Sequence, residues 1–376
     1  MVFLKKRKIT VLHILSSAGM AGGERYVQDL IQYSNKSFKH IVVLPYRGPF
    51  AQILKDCRFN YIVVNMAHKF SLFAISLLIK HIRKNKANII HTHGFRANFY
   101  GRLASIFTGA KTISTIHVSL LDYIDTASLT RHFYILLEKA LSFKTSKFIC
   151  ISKAIEKDLL SLGINKNKIA LIPNGVDLDR FFPRPAQEEK KRELGIKSSG
   201  PIIGTIGRMV SEKGQVYLVE ALKYLKVERK GLLCLFIGQG PRFPEIKKMA
   251  TDLDISDMCI FLGSRKDVEL IYPILDIFVL PSIREPFGIV LLEAMASVVP
   301  VIATASGGPL DFIKSDVNGV LVPARDSKAL ALKISYLLSN RNKAGTIAIE
   351  GRETVEKQFS IKKIVSKIDD LYYSIA

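Results

Sequence analysis

Pro281-Ser282-Ile283-Arg284-Glu285-Pro286-Phe287-Gly288-Ile289-Val290-Leu291-Leu292-Glu293-Ala294-Met295-Ala296 is the segment on which the reading of this chain turns. It follows the apolar run 275–280, which reads as a buried strand. Pro281 ends that strand, because proline has no N–H to give to a ladder. The loop then carries Glu285, and a helix starting near Gly288 carries Glu293 in its second turn. Carboxylates accept hydrogen bonds from hydroxyl groups, so two at this spacing can grip two different polyols. The N–H groups of Phe287, Gly288 and Ile289 fall at the helix N-terminus, where unpaired donors and the positive dipole end suit a phosphate.

Outward from this segment the pattern alternates. Strands are expected at 202–206, 232–237, 258–262, 275–280, 299–303 and near 319–322, with helices at 214–226, 242–253, 267–273 and 288–297. The first half repeats the scheme. Its strands are expected at 9–15, 40–44, 60–64, 88–92, 112–116, 147–151 and 168–172. Its helices are expected at Tyr26–Ser34, Leu72–Arg83, Phe99–Phe107 and His132–Phe143. Such alternation implies βαβ units and parallel sheets with helices on both faces. Between the halves, residues 173–200 carry Pro173, Asn174-Gly175, Pro183, Pro185 and the charged run Glu188–Glu193, which marks a linker. The expectation is an α/β chain of two Rossmann-like doubly wound domains, 1–180 and 181–358, with an interdomain cleft. Open parallel sheets bind ligands beyond the carboxyl ends of their strands, so functional residues belong in the loops just after them.

Three of those loops are rich in glycine. Gly22 and Gly23 follow the first strand and open a helix, which suits a phosphate but equally a tight turn. The G-x-G-x-x-G dinucleotide fingerprint is absent there. Gly207-Arg208 follows strand 202–206, and Lys213-Gly214 opens the next helix. Two cations so placed can bind a diphosphate and neutralise the charge it gains on departure. Surface salt bridging is the plainer reading of the same pair. Gly238-Gln239-Gly240-Pro241 ends strand 232–237.

Composition bounds the rest. Of 376 residues 48% are hydrophobic, enough for two cores. The net charge is +22, and it lies in the first half: residues 1–180 hold 27 Lys and Arg against 10 Asp and Glu. A basic face attracts phosphates of nucleic acid, anionic lipid or an acidic glycan, although a solvated surface explains it too. No basic, aromatic-laced pattern of a nucleic-acid module is present, so no specific nucleic-acid partner is expected. No apolar run reaches membrane-spanning length, and Ile9–Leu15 is too short for a signal peptide. A cytoplasmic location is expected. Peripheral contact with an anionic inner membrane would come through the basic first half. The apolar segment Lys69–Lys84, with its basic ends, reads first as an ordinary sheet-packing helix. Cys57, Cys150, Cys234 and Cys259 form no CxxC pair and read as buried reduced thiols.

EPFGIVLLEAMA resembles the E-x7-E signature of glycosyltransferase family 4, retaining enzymes of the GT-B fold. Other segments resemble the family in the same order: Gly22-Gly23-Glu24, Ile151-Ser152, Pro173-Asn174-Gly175-Val176-Asp177, Gly207-Arg208 with Lys213-Gly214, Gly238 with Gly240, Phe261-Leu262-Gly263, Gly307-Gly308, and Asn318-Gly319 before Val322-Pro323. The resemblance spans essentially the whole chain. It implies that Glu293 binds the ribose hydroxyls of a nucleotide sugar and Glu285 the hydroxyls of the transferred sugar. It implies that Arg208 and Lys213 hold the diphosphate. Backbone at Gly207, Gly238, Phe287, Gly288 and Ile289, and at Gly22 and Gly23, would complete the donor grip. His117, ending strand 112–116, resembles the family's histidine near the reacting centre, with a structural histidine as the alternative. His93 and Arg96 fall on the acceptor side, as does the segment Val118–Arg131, whereas His91 reads as packed. The family needs no divalent cation and no cofactor, so no metal is expected at His91-Thr92-His93. Asp311 stands where the family often has Glu, after Gly307-Gly308. The final stretch from Phe359 resembles the family's last helix, which returns to the first domain. The implied reaction moves a hexose or N-acetylhexosamine from a nucleotide diphosphate sugar, such as a UDP-sugar, to a glycan or lipid-linked acceptor. Family habit and charge point to bacterial surface polysaccharide or lipopolysaccharide. A nucleotide-sugar epimerase of similar fold and a polyanion- or nucleic-acid-binding protein are the alternatives.

Overall fold

The computed structural model describes residues 8–19, 22–67, 70–119, 129–197 and 199–376, with backbone alone for 129–134. The sequence-expected acceptor segment therefore falls mostly outside the described residues, as do Lys5–Arg7 and Lys69. The chain divides into two compact units, Met1–Asn174 with Ile361–Ala376, and Gly175–Ser360. The division falls a few residues before the expected 180/181, and the last helix belongs to the first unit from Ile361 onward.

The first unit is built on seven parallel strands: β1 (Ile9–Leu15), β2 (Phe38–Leu44), β3 (Tyr61–Val63), β4 (Ile89–His93), β5 (Lys111–Ile116), β6 (Thr145–Cys150) and β7 (Ile169–Leu171). Their order is β3-β2-β1-β4-β5-β6-β7. Strands covered on both faces need apolar residues at nearly every position, and ITVLHIL in β1 is such a run. Leu12 and Ile14 pack with Ala74, Leu78 and Tyr100 on one face. Val11 and Leu15 pack on the other with Val27, Leu30 and Ile364, Ile368 and Tyr372 of the helix Ile361–Ile375. Those three recur every fourth residue, the stripe of an amphipathic helix. Asp369, on the same helix, accepts hydrogen bonds from Ser34 Oγ at 2.6 Å and Asn35 N at 2.8 Å, beyond the end of the helix Gly22–Tyr33.

Among the described residues, one ion pair is sealed inside this unit. Arg102, wholly buried, meets Glu138 Oε1 at 2.7 Å and Ser114 Oγ at 3.2 Å. Asn98 Nδ2 donates to the same carboxylate at 3.2 Å. Removing one member of a buried pair strands the other charge. Arg102→Met is expected to cost about 3–5 kcal/mol, and Arg102→Met with Glu138→Leu much less. Urea unfolding midpoints check both, and equal losses would refute the pairing argument.

The second unit has six parallel strands: β8 (Ile202–Ile206), β9 (Leu233–Ile237), β10 (Cys259–Gly263), β11 (Ile277–Leu280), β12 (Val301–Thr304) and β13 (Val320–Val322). Their order is β10-β9-β8-β11-β12-β13, the 3-2-1-4-5-6 winding of a Rossmann sheet. The order reverses between β8 and β11, which is where an open sheet leaves a crevice at its carboxyl edge. In the first unit it reverses between β1 and β4.

Four expectations need correction. The helix expected at 267–273 is a pair of short 3-10 turns, Val268–Leu270 and Tyr272–Ile274. Pro273 lacks the N–H that a continuing α-helix needs. The linker is partly helical: Glu188–Glu193 forms a short helix whose Lys190 is buried and bonds Asp267 at 2.9 Å and Glu193. The helix Pro49–Asp56 is additional to those expected, whereas Lys153–Ser161 is the helix that follows Ile151-Ser152. Cys57 is exposed, whereas Cys150 and Cys234 are buried and Cys259 is half-buried, all four as free thiols. No helix among the described residues is long and apolar enough to cross a membrane.

Candidate functional site

In the second unit, the loops after β8, β9, β11 and β12 interlock. Gly238 follows β9 with φ +138°, and a Cβ there would lie 1.9 Å from the Gly207 carbonyl oxygen. Only glycine lets the two turns meet. Gln215, first residue of the helix Gln215–Glu228, donates to the Arg208 carbonyl at 3.0 Å and steadies that loop. Arg208 itself is exposed.

Lys213 ends the short turn Ser211–Lys213, which is tied to the loop after β11 by Ile283 N donating to Glu212 O at 2.8 Å. Lys213 Nζ reaches Glu285 Oε2 at 2.6 Å. Ser282 Oγ donates to the same oxygen at 2.8 Å. Glu285 is only 5% exposed, and the cation and the hydroxyl both stabilise Oε2 of its buried carboxylate. Behind it lies the Gly307-Gly308 turn after β12. A Cβ on Gly307 would fall 2.1 Å from the Glu285 carbonyl oxygen, and one on Gly308 would fall 2.2 Å from Phe287 Cα. The glycine pair is thus what allows the Glu285 loop to seat. Asp311 closes this turn, Gly308–Asp311.

Glu293 sits on the helix Ile289–Ala296, which begins after Gly288. It is buried, and the wholly buried Tyr272 donates its hydroxyl to Oε2 at 2.9 Å. Phe287 is buried against Phe312 and Phe359. The structure therefore gathers Lys213, Glu285 and Ser282 in one cluster and orients Glu293 through Tyr272. Ser282, Tyr272 and Gln215 escaped the sequence reading. Tyr272 had a signal available, since a tyrosine in an apolar run needs a partner for its hydroxyl.

In the first unit, Gly22 and Gly23 open the helix Gly22–Tyr33, and a Cβ on Gly23 would lie 3.8 Å from His117 Cδ2. His117 follows β5 directly and is half-buried, with Tyr26 edge-on at 4.9 Å. Arg96 is exposed near the start of the helix Phe95–Ile106. His93, read as an acceptor-side residue, is buried and meets other histidines. His13, His91 and His93 are all buried, with nitrogens within 4.8 Å of one another. Three neutral imidazoles have the composition of a metal site. Hydrogen bonds already engage both nitrogens of all three, those of His93 reaching His13 and His117. His13 contacts His93 and His40, and His91 contacts Tyr372 Oη at 2.6 Å and Thr115 Oγ1 at 2.7 Å. Burial holds His13, His91 and His93 well below the usual imidazole range, with neighbouring histidines adding to the effect. Burial brings His40 and His117 down to about 4.

Residues 20–180 match the model of Glycosyltransferase Family 4, and residues 186–354 match that of Glycosyl transferases group 1. The chain belongs to glycosyltransferase family 4. It is 26% identical over 377 residues to the UDP-Gal:alpha-D-GlcNAc-diphosphoundecaprenol alpha-1,3-galactosyltransferase of Escherichia coli, covering 97% of each chain. It is 28% identical over 386 residues to the capsular polysaccharide biosynthesis glycosyltransferase CapM of Staphylococcus aureus, covering 98% of this chain and 91% of that one. Among solved structures, Anabaena HepE in complex with UDP superposes with a TM-score of 0.87 at 21% identity, over 97% of this chain and all of the other. That likeness is one of fold, and the fold is GT-B.

Proposed function

We propose that this glycosyltransferase moves a hexose or N-acetylhexosamine from a nucleotide diphosphate sugar to a glycan or lipid-linked acceptor, with retention and without a metal, in assembly of a bacterial surface polysaccharide or lipopolysaccharide. The observation that carries the reading is the cluster of Lys213, Glu285 and Ser282 beside β11, at the reversal of strand order. A carboxylate buried among donors at that edge suits a polyol, and a cation next to it suits the diphosphate to which the sugar is bonded. The E. coli relative's name supports a UDP-sugar donor and a lipid-linked acceptor.

In this reading Glu293 accepts hydrogen bonds from the ribose hydroxyls, and Tyr272 holds the carboxylate for them. Glu285 takes the hydroxyls of the transferred sugar. Arg208 and Lys213, with the N–H groups of Phe287, Gly288 and Ile289, hold the diphosphate. In the first unit, Gly22 and Gly23 suit a phosphate and His117 a sugar hydroxyl. The acceptor oxygen bonds to the anomeric carbon on the face from which the diphosphate leaves, the carbon–oxygen bond to the diphosphate breaks, and the departing diphosphate takes the acceptor proton.

The test is nucleoside diphosphate release from a panel of UDP-glucose, UDP-galactose, UDP-N-acetylglucosamine and GDP-mannose, with chelator present. One donor is expected to turn over slowly by hydrolysis, and Glu285→Ala to abolish the release. Failure of every donor and nucleotide diphosphate to raise the melting temperature would reject the reading.

The acceptor side carries a second expectation. The helix Leu72–Lys84 buries Ala74, Ile75, Leu78 and Ile82 but leaves Leu72 and Phe73 about 70% exposed, with Phe70 exposed just before it. Exposed apolar residues on a strongly basic unit suit an anionic bilayer. Binding to phosphatidylglycerol vesicles is expected to weaken as salt rises and to fall in Phe73→Ser. Equal binding to neutral vesicles would count against it.

A further inference from the structure

Four histidines, on β1, β2 and β4 and directly after β5, form one chain of contacts. His117 Nε2 lies 3.4 Å from His93 Nδ1, His93 Nε2 lies 3.3 Å from His13 Nδ1, and His13 Nε2 lies 2.9 Å from His40 Nδ1. Fold topology makes this arrangement. His13, His40 and His93 lie on one face of the sheet, and parallel pairing sets Leu15 opposite His93 and Val11 opposite His40. His91 stands beside the chain, with both nitrogens taken by Thr115 and Tyr372.

The chain has a direction. Every contact joins Nε2 of one ring to Nδ1 of the next. A neutral imidazole carries one N–H and one lone pair. All three contacts are therefore satisfied only if every ring holds its proton on the same nitrogen, all on Nδ1 or all on Nε2. A mixed chain sets two protons or two lone pairs against each other somewhere along it. Charge on a ring is opposed by burial and by the neighbouring histidines.

The inner end selects between the two. His40 Nε2 is buried and has no partner among the described residues. With protons on Nε2 that atom is an orphaned buried N–H. With protons on Nδ1 it is an unused acceptor. Buried N–H groups are the ones that native structures least often leave orphaned. We propose that His40, His13 and His93 are positioning residues that fix His117 as its Nδ1–H tautomer, so that His117 offers a hydrogen-bond donor to the group bound beside it. The partner for such a donor is an oxygen lone pair, on a sugar hydroxyl or a phosphate. A role for His117 as a proton acceptor would require every proton of the chain to shift and the last to settle on His40 Nε2. What the tautomer means for catalysis rests on the transferase reading; the tautomer itself does not.

The full chain labelled with 15N at histidine, recorded at pH 7.5 by long-range 1H–15N correlation, reads each tautomer without any donor present. His13, His40, His93 and His117 are each expected to show a protonated Nδ1 and a lone-pair Nε2. A protonated Nε2 at His117, an imidazolium pattern, or a spectrum that changes on adding chelator, the sign of a metal on His13, His91 and His93, would each overturn the proposal. His93→Leu cuts the chain next to His117. His117 is then expected to move to the exchange-averaged shifts of an imidazole with no fixed tautomer. A folded variant in which His117 is unchanged removes the positioning role. If the variant does not fold, the wild-type spectrum decides alone. A donor panel that fails beside the expected spectrum would reject the transferase reading and leave the tautomer standing.

Discussion

Lys213→Met is expected to lower kcat by two to three orders of magnitude at a smaller cost to the fold. The stability side follows from what Lys213 touches. Its side chain is 22% exposed and its ammonium pairs with Glu285, which keeps the Ser282 hydroxyl when the lysine is gone. Because Glu285 is buried but keeps one donor, losing its cation costs about 1–3 kcal/mol, less than in the sealed Arg102–Glu138 pair. The catalytic side is larger, because charge on the diphosphate grows as its bond to the sugar breaks. A cation already in place for that charge lowers the barrier, and losing one such contact typically costs about 2.7–4 kcal/mol. Ground-state donor binding needs the same cation less, so the dissociation constant of the nucleoside diphosphate should rise by a smaller factor than kcat falls. Lys213→Arg keeps the charge but replaces a compact ammonium by a wider planar group, and should fall between. Turnover within threefold of wild type in Lys213→Met, at saturating donor, would remove Lys213 from the reaction. A fall in kcat matched by an equal loss of melting stability would make it structural.

The parts of this site that could be read from the sequence are those set by local pattern. Glu285 and Glu293 stand at a fixed spacing around a strand-to-helix turn, and Pro281 and Gly288 punctuate it. Strand β8 was legible to the residue, because an apolar run bounded by Pro201 and Gly207 has one reading. What could not be read depends on which strands lie side by side. His91, His93 and His117 stood out as an HxH pair and a lone histidine. Nothing local ties them to His13 and His40, which join only because β1 lies between β2 and β4. The Gly307-Gly308 pair was visible as a motif, but its reason, room for the Glu285 loop, is a contact between two loops. Tyr272 was hidden for a different reason. It lies in a run whose helical periodicity is cut by Pro273, and only in three dimensions does its hydroxyl find Glu293.

The histidine-rich sheet carries the other large expected effect, a loss of stability in mild acid. Burial lowers the pKa of His13, His91 and His93 well below 6.5, and that of His40 and His117 to about 4. In the unfolded chain each would take up a proton near 6.5. A group whose folded pKa is depressed leaves the folded state holding fewer protons than the unfolded one, so stability rises with pH across the window between the two values. The contribution is complete above about pH 6.5 and is lost progressively toward pH 4. At pH 5 the loss is up to about 2 kcal/mol for each of His40 and His117, and the three fully buried rings act in the same direction. Asp369 works against them, because burial raises its carboxyl and so favours the folded state on protonation, but it is a single group. Against a typical stability of about 5–15 kcal/mol the sum is large. The melting temperature is therefore expected to fall by about 10 °C or more between pH 7.5 and 5, at about 2–4 °C per kcal/mol. Hydrogen exchange at pH 5 should show the loss in β1, β4 and β5 before β8 and β11, since all five histidines are in the first unit. His40→Asn removes one titrating ring, and its melting temperature should depend less steeply on pH whatever its value at pH 7.5. A flat profile in the wild type would mean that these rings are solvated in the folded protein, and the buried chain of imidazoles would fall with it.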